Sequence, residues 1–159
     1  MGSLSKIILA YIAGFLDGDG SLMLQIKKRK DGKSKIRFMP TICFYQDSRH
    51  KEPLSWIRQS LGIGYLSNRN DGMTELRING YKQVRDILKS LLPFIKFKKN
   101  QAQALCDATR ILSQKPLKQL TKFELLNLVK LMLLIQNYNY VAKRKKTKKE
   151  LMKILDLTP

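Results

Sequence analysis

The chain has 159 residues, a length typical of one domain, and 43% of them are apolar, enough to build a hydrophobic core. Lys and Arg number 31 against 12 Asp and Glu, so the formal net charge is +19 and the expected partner is a polyanion. Two distant cysteines and a single histidine argue against a disulfide framework, a zinc cluster and hydrolases that need paired histidines.

Apolar spacing and turn residues divide the chain into alternating helices and hairpins. The predicted elements are, in order, a helix over 4–16, a hairpin of 22–29 and 35–45, a helix over 51–61 with Gly62 as its C-cap, a hairpin of 64–69 and 73–78, and helices over 81–92 and 99–113. Thr121 with Glu124, and Thr147 with Glu150, form capping boxes that open two further helices.

These elements predict one α+β domain over 1–159. We expect a core over 4–113 in which a four-stranded antiparallel sheet is backed by helices on one face, and C-terminal helices over 121–159. The longest apolar stretch, 123–135, is too short to span a bilayer, and no signal peptide or membrane partner is expected.

Alternation along the strands predicts a polar, basic face opposite the one that packs on the helices. This face carries Gln25, Lys27, Arg29, Lys35, Arg37, Met39, Cys43, Tyr65, Ser67, Arg69, Glu75 and Arg77. Taken singly, each of these residues can also be explained as a polar side chain that merely solvates the sheet. Residues 25–37, however, carry seven basic groups and one acid, whereas a solvating face mixes signs. Arg, Lys and Gln bind base edges in the major groove, so the face is a candidate DNA-reading surface.

Further basic residues suit phosphate contacts, which supply affinity without sequence information. They are Lys96, Lys98 and Lys99, and, in the basic segment 143–149, Lys143, Arg144 and Lys145.

The end of the first predicted helix carries two acids, Asp17 and Asp19, in the turn 17–20. Each is disfavoured there by about 0.3–1 kcal/mol, because the helix dipole is negative at its C-terminus, and a bound cation would reverse that cost. The alternative is a solvated Asp-Gly turn. An EF-hand is excluded, since Leu22 and Lys28 stand where its glycine and glutamate belong. The same helix bears a stripe of small residues, Ala10, Ala13 and Gly14, which lets another backbone approach closely.

Residues 9–20, LAYIAGFLDGDG, closely resemble the signature of the LAGLIDADG homing endonucleases, in the branch whose members carry a single motif. Further matching stretches are FYQ at 44–46, GIGY at 62–65 and LPFIKFK at 92–98. The resemblance covers about residues 4–113, and the C-terminal helices more loosely. It implies an αββαββα core with a saddle-shaped sheet.

The resemblance also implies a metal site. Asp19 would bind an essential Mg²⁺ with help from the backbone carbonyl of Gly18, while Mn²⁺ could substitute and Ca²⁺ would bind without supporting cleavage. Gln46 and Lys98 match positions that organise solvent around the scissile phosphate, which makes them catalytic candidates with Asp19. His50 stands where the family tends to have a basic residue, so its role stays open.

One motif per chain implies a homodimer, because cutting two strands needs two acidic centres. The interface expected from the resemblance consists of Ala10, Ala13, Gly14 and Asp17. The implied activity is sequence-specific cleavage of double-stranded DNA at a nearly palindromic site, leaving 3′ overhangs and 5′-phosphates, in an intracellular, organellar setting. The alternatives are a non-cleaving maturase or repressor on the same fold, which binds DNA or RNA, and a basic architectural protein.

Overall fold

The computed structural model describes residues 4–29, 35–139 and 145–157. Its elements are α1 (Lys6–Asp19), β1 (Gly20–Lys28), β2 (Ile36–Asp47), α2 (Glu52–Leu61), β3 (Tyr65–Asn68), β4 (Met73–Asn79), α3 (Tyr81–Leu91), α4 (Lys99–Gln114), α5 (Lys122–Tyr138) and α6 (Lys148–Ile154). Short 3-10 turns occupy Ser48–His50 and Leu117–Gln119. The predicted order of helices and hairpins is confirmed.

The four strands form one antiparallel sheet in the order β1-β2-β4-β3, so the two hairpins meet at the β2–β4 pair. Ile26 lies opposite Phe38, and Phe44 lies opposite Leu76. These side chains share the parity predicted to face the helices, and Phe38, Phe44 and Leu76 are buried in the core. The alternation therefore assigned the apolar face correctly.

Local capping signals define several helix ends. The Thr121–Glu124 and Thr147–Glu150 capping boxes both form, with each threonine hydroxyl accepting the glutamate N–H at 3.2 Å. Gly62 ends α2 in the left-handed region at φ 67°, a conformation that glycine adopts without steric cost. No helix of the described residues is both long and apolar enough to traverse a bilayer.

Helix α1 runs further than the apolar spacing predicts. It continues through Asp17 and Asp19, and β1 begins at Gly20 without an intervening turn. A Cβ added at Gly20 would lie 2.7 Å from the carbonyl oxygen of Leu16, so the junction requires glycine. Both acids consequently sit on the last turn of the helix, where their side chains point in different directions.

Candidate metal centre and nucleic-acid interface

Asp17 is turned into its own protomer. Its carboxylate accepts hydrogen bonds from the backbone N–H groups of Lys96 (2.6 Å), Phe97 (3.2 Å) and Lys98 (2.9 Å), and the residue is buried. Three successive N–H groups just before α4 form an anion-binding nest at the positive end of that helix. These donors compensate the carboxylate for its unfavourable place at the C-terminus of α1.

Asp19, two residues further, is exposed. In the described part of the chain no hydrogen bond or ion pair engages its carboxylate. Lys98 lies beside it, because the Lys98 ammonium donates to the backbone carbonyl of Asp17. Burial lowers the pKa of Lys98, and the charges of Asp17 and Asp19 oppose that shift only in part. An open carboxylate and a half-buried ammonium thus share the end of α1.

Gln46 reaches the same end of α1 from the sheet. Gly20, the first residue of β1, lies opposite Phe44, and Gln46 follows Phe44 by two residues on β2. Its Oε1 accepts the N–H of Asp47 at 2.9 Å, which leaves the amide NH₂ for another partner. The structure therefore places Asp19, Gln46 and Lys98 near one end of the helix, and their catalytic roles stay a prediction.

The turn after β2 contains a basic side chain that the sequence reasoning missed. Arg49 is exposed and binds Asp47 through Nε (3.0 Å) and Nη2 (2.8 Å), and the Arg49 guanidinium holds the pKa of Asp47 well below its usual range. His50 is exposed on the same 3-10 turn. The spacing Asp47-x-Arg49 directly after a strand was the available signal.

A divalent cation fits the donor chemistry of this site, but one protomer supplies few ligands. The Asp19 carboxylate and the backbone carbonyls at the end of α1 are hard oxygen donors of the kind that Mg²⁺ prefers. Within 4–29, 35–139 and 145–157, no three His, Cys, Asp or Glu side chains cluster as a metal site. Mg²⁺ ordinarily keeps several waters and uses one or two carboxylates with substrate phosphates, which agrees with this sparse donor set.

The exposed stripe of α1 differs from the predicted interface. Ala13 is fully buried and Asp17 is held in its nest, so assigning these two residues to an interface was wrong. Ala10, Gly14 and Gly18, spaced four apart, are exposed instead, and a Cβ added at either glycine would meet nothing within 4 Å. The four-residue spacing follows one helix face, whereas 13 and 17 follow the adjacent face.

An apolar surface adjoins this stripe. Ile7, Tyr11 and Trp56 are exposed, and the Tyr11 and Trp56 rings meet edge to face with centroids 5.3 Å apart. With Ile8 and Pro53 they line a shallow hollow. Sequence reasoning missed this surface, although large apolar residues at 7 and 11 share the helical face of the small residues.

The polar face of the sheet is exposed at its margin and buried at its centre. The exposed members of the predicted set are Lys27, Arg29, Lys35, Arg37, Tyr65 and Arg69, and the half-buried ones are Gln25, Met39, Ser67 and Arg77. Lys145 is also exposed, whereas Lys143 and Arg144 lie outside the described residues.

Two members of the predicted DNA-binding set, Cys43 and Glu75, are buried, so their expected direct contact with DNA was wrong. The Cys43 thiol donates to Glu75 Oε2 at 3.8 Å, and Arg77 Nε donates to Glu75 Oε1 at 2.6 Å. Burial raises the pKa of Cys43 to about 11, which keeps the thiol protonated at neutral pH. Neighbouring side chains cover the centre of the face, because β2 and β4 are flanked by strands on both sides.

Other polar side chains complete this face. The Ser21 and Tyr45 hydroxyls lie 3.0 Å apart, the Arg69 guanidinium stands 5.7 Å from the centre of the Tyr45 ring, and the Thr41 hydroxyl donates to Asn79 Oδ1 at 2.7 Å. Thr41 and Tyr45 have the predicted polar parity, so continuing the alternation along β2 would have found them.

Comparisons with known proteins agree with this geometry. The family model described as LAGLIDADG endonuclease matches residues 12–109. DNA endonuclease I-CvuI of Chlorella vulgaris is 34% identical over 98 residues, which cover 62% of this chain and 61% of that protein. DNA endonuclease I-CreI of Chlamydomonas reinhardtii is 31% identical over 112 residues, 70% of this chain and 66% of that protein. The matched segments thus span somewhat less than two thirds of these relatives.

Solved structures match over nearly the whole chain. I-CvuI in complex with the I-CreI target in 2 mM Mg, with the DNA not cleaved, superposes with a TM-score of 0.72 at 26% identity and covers 95% of this chain and 96% of that one. I-CvuI with its own target in 2 mM Ca gives a TM-score of 0.73, also at 26% identity, over 97% and 98% of the two chains. The archaeal intron-encoded homing endonuclease I-Vdi141I, complexed with DNA, shares the fold with a TM-score of 0.78 at 22% identity, over 94% and 95%.

Proposed function

The chain belongs to the LAGLIDADG endonuclease family, and from this premise we propose that it is a Mg²⁺-dependent, sequence-specific endonuclease that cuts both strands of duplex DNA. The observation that carries the proposal is the open Asp19 carboxylate at the end of α1, where Lys98 and the end of β2 that carries Gln46 also lie, at the edge of a basic sheet face. Two relatives that exceed 30% identity are named DNA endonucleases, which supports it.

The residues at the end of α1 have separate roles in the proposed phosphodiester hydrolysis. Asp19 and the Gly18 carbonyl would hold the cation. When bound, Mg²⁺ would supply Lewis-acid polarisation of the phosphate, activation of a water and stabilisation of the 3′ oxygen as the P–O3′ bond breaks, which would leave a 3′-hydroxyl and a 5′-phosphate. Lys98, fixed on the carbonyl of Asp17, presents positive charge to the scissile phosphate, and the Gln46 amide orients water. We expect Mn²⁺ to substitute, and Ca²⁺ to permit binding without cleavage.

We further propose that two copies assemble about the exposed stripe of Ala10, Gly14 and Gly18. The open space above both glycines allows two helix backbones to approach closely, and the sparse donor set of one protomer is completed when a second Asp19 comes near. A symmetric dimer reads a nearly palindromic site and leaves 3′ overhangs. The organellar location implied by the resemblance stays a prediction.

The test is Asp19→Asn, which keeps the shape of the side chain and removes its charge. Cleavage of a randomised duplex library in Mg²⁺ should fall by about 1000-fold, because several kcal/mol of charge stabilisation are lost, while binding to the enriched sites persists. Asp107→Asn, the same change on the outer side of α4, should cut normally. Retained cleavage by Asp19→Asn would overturn the assignment. Enriched sites without cut ends from the wild type would favour a non-cleaving binding protein.

Sedimentation of the wild type tests the assembly separately. A mass of two chains, about 37 kDa from 18.4 kDa each, is expected at micromolar concentration. A stable monomer on target DNA would contradict the dimeric site.

A further inference from the structure

Among the described residues of the polar face, Arg77 is the cation that is bound to a buried acid. Its Nε donates to Glu75 Oε1 at 2.6 Å, and its Nη2 donates to Glu75 Oε2 at 3.4 Å. The Glu75 side chain is only 9% exposed, whereas that of Arg77 is 27% exposed. The acid therefore lies beneath the surface, whereas the Arg77 side chain is partly open to solvent.

The contact uses one edge of the guanidinium and leaves the other open. Nε and Nη2 form the edge that faces Glu75, and among the described residues no hydrogen bond engages Nη1. The remaining edge, between Nη1 and Nη2, presents two parallel N–H donors. This pair matches O6 and N7 of guanine in the major groove, the commonest specific contact between arginine and a base.

The two strands that flank β4 hold the acid in turn. The Cys43 thiol donates to Glu75 Oε2 at 3.8 Å from the adjacent strand β2, and Cys43 lies directly opposite Arg77 in the sheet register. Glu75 itself lies between Tyr45 on β2 and Ser67 on β3. Since β2 and β3 flank it on both sides, the carboxylate has little freedom to move toward DNA.

Other cations of the face lack this support. Arg69 pairs with Asp71 at 2.7 Å, but the two side chains are 44% and 51% exposed, and such surface pairs contribute little order. Lys27 and Arg37 lie opposite each other at the margin, and within the described residues neither makes an ion pair. These side chains suit phosphates, which accept many geometries, better than a single base edge.

We propose that Arg77 reads a guanine in each half of the DNA target, and that Glu75 is the positioning residue that aims it without touching DNA. The inference rests on the proposed function. Because Glu75 already holds the guanidinium in the free protein, the Arg77 side chain loses little conformational freedom on binding DNA. The Nε–Nη2 edge is occupied by Glu75, so it does not bind phosphates. Replacing Arg77 by lysine would keep the charge but remove the two-pronged geometry.

The experiment selects duplexes from a randomised library by binding to the full-length protein in Ca²⁺, and derives the base preference at each position. The variants are Arg77→Lys, Glu75→Gln and, as a matched control, Asp71→Asn. Thermal melting of every variant shows that it is folded. A purely structural role of Glu75 would lower affinity for all sequences alike, whereas a positioning role changes the preference at one position of each half-site.

We expect the wild type to prefer a G·C pair at one position of each half-site. In Arg77→Lys this preference over the other base pairs should be about tenfold weaker, while the variant's non-specific affinity and its salt dependence stay nearly unchanged. Glu75→Gln should weaken the same preference and no other, and Asp71→Asn should leave it intact. Unchanged preferences in Arg77→Lys would overturn the guanine contact, and unchanged preferences in Glu75→Gln would overturn the positioning role. If the wild type enriches no sequence, the proposed function fails and the inference fails with it.

Discussion

Asp17, at the end of α1, and Glu75, at the centre of the polar face, are both buried acids, yet they are satisfied by different kinds of donor. Asp17 accepts three backbone N–H groups from a segment about 80 residues further along the chain. Glu75 accepts from two side chains, Arg77 and Cys43, of which Arg77 belongs to its own strand. One acid joins distant elements, and the other orients a neighbour.

This difference indicates that Asp17 stabilises the fold, whereas Glu75 serves DNA recognition. Backbone donors at the start of α4 are fixed by the fold, so the Asp17 carboxylate ties α1 to α4 and brings Lys98 to the exposed Asp19. The donor that Glu75 holds is half-exposed and can turn to water when released. We therefore expect loss of Asp17 to cost stability, and loss of Glu75 to cost selectivity first.

The largest expected effect is that of Asp17→Ala. It removes the buried carboxylate that accepts from the N–H groups of Lys96, Phe97 and Lys98, and should lower the free energy of unfolding by about 2–4 kcal/mol in urea titrations. The control is Asp19→Ala, two residues away. It should change stability by about 0.5 kcal/mol or less, toward higher stability, because a negative charge at a helix C-terminus is unfavourable. Equal effects of the two variants would contradict the division between them.

Glu75→Gln should destabilise the protein less than Asp17→Ala, by about 0.5–1.5 kcal/mol. Breaking a fully buried ion pair costs more, but Arg77 keeps access to water and its charge is not stranded. The exposed counterpart Asp71→Asn should stay within about 0.5 kcal/mol of the wild type in the same titrations. A loss from Glu75→Gln as large as that from Asp17→Ala would make Glu75 part of the scaffold.

The smallest effect concerns the thiol that supports Glu75. Burial raises the pKa of Cys43, and that of Cys106, to about 11, so each is protonated below that pH and only about one in a thousand is thiolate at pH 8. Colorimetric titration with a disulfide reagent should therefore label both thiols slowly in the native protein and quickly in urea, with the native rate rising toward pH 11. Fast native labelling would show that Cys43 is not held against Glu75.

Local signals predicted most of the fold. Helical spacing, strand alternation and the two capping boxes act over a few residues, so each could be recognised without knowing what packs against it. The resemblance proposed Asp19, Gln46 and Lys98 as catalytic residues, and the structure places all three near one end of α1.

The errors arose where a residue's surroundings come from distant segments. Ala13 and Gly14 are both small, and only the packing of α1 decides that Ala13 faces the core and Gly14 the outside. Cys43 and Glu75 have the parity of the polar face, yet the side chains of adjacent strands cover them. Alternation along a strand predicts which face of the sheet a side chain lies on, but not how deeply neighbouring side chains bury it.

By itself the sequence determined the charge, the order of helices and hairpins, and the family motif, because composition and periodicity are properties of neighbours along the chain. The resemblance named Asp19 as the metal ligand, and the tertiary structure supplies the physical reason why Asp19, rather than Asp17 on the same helix turn, stays open to a cation. That choice depends on three N–H groups that only folding brings to Asp17, and it leaves Asp19 free.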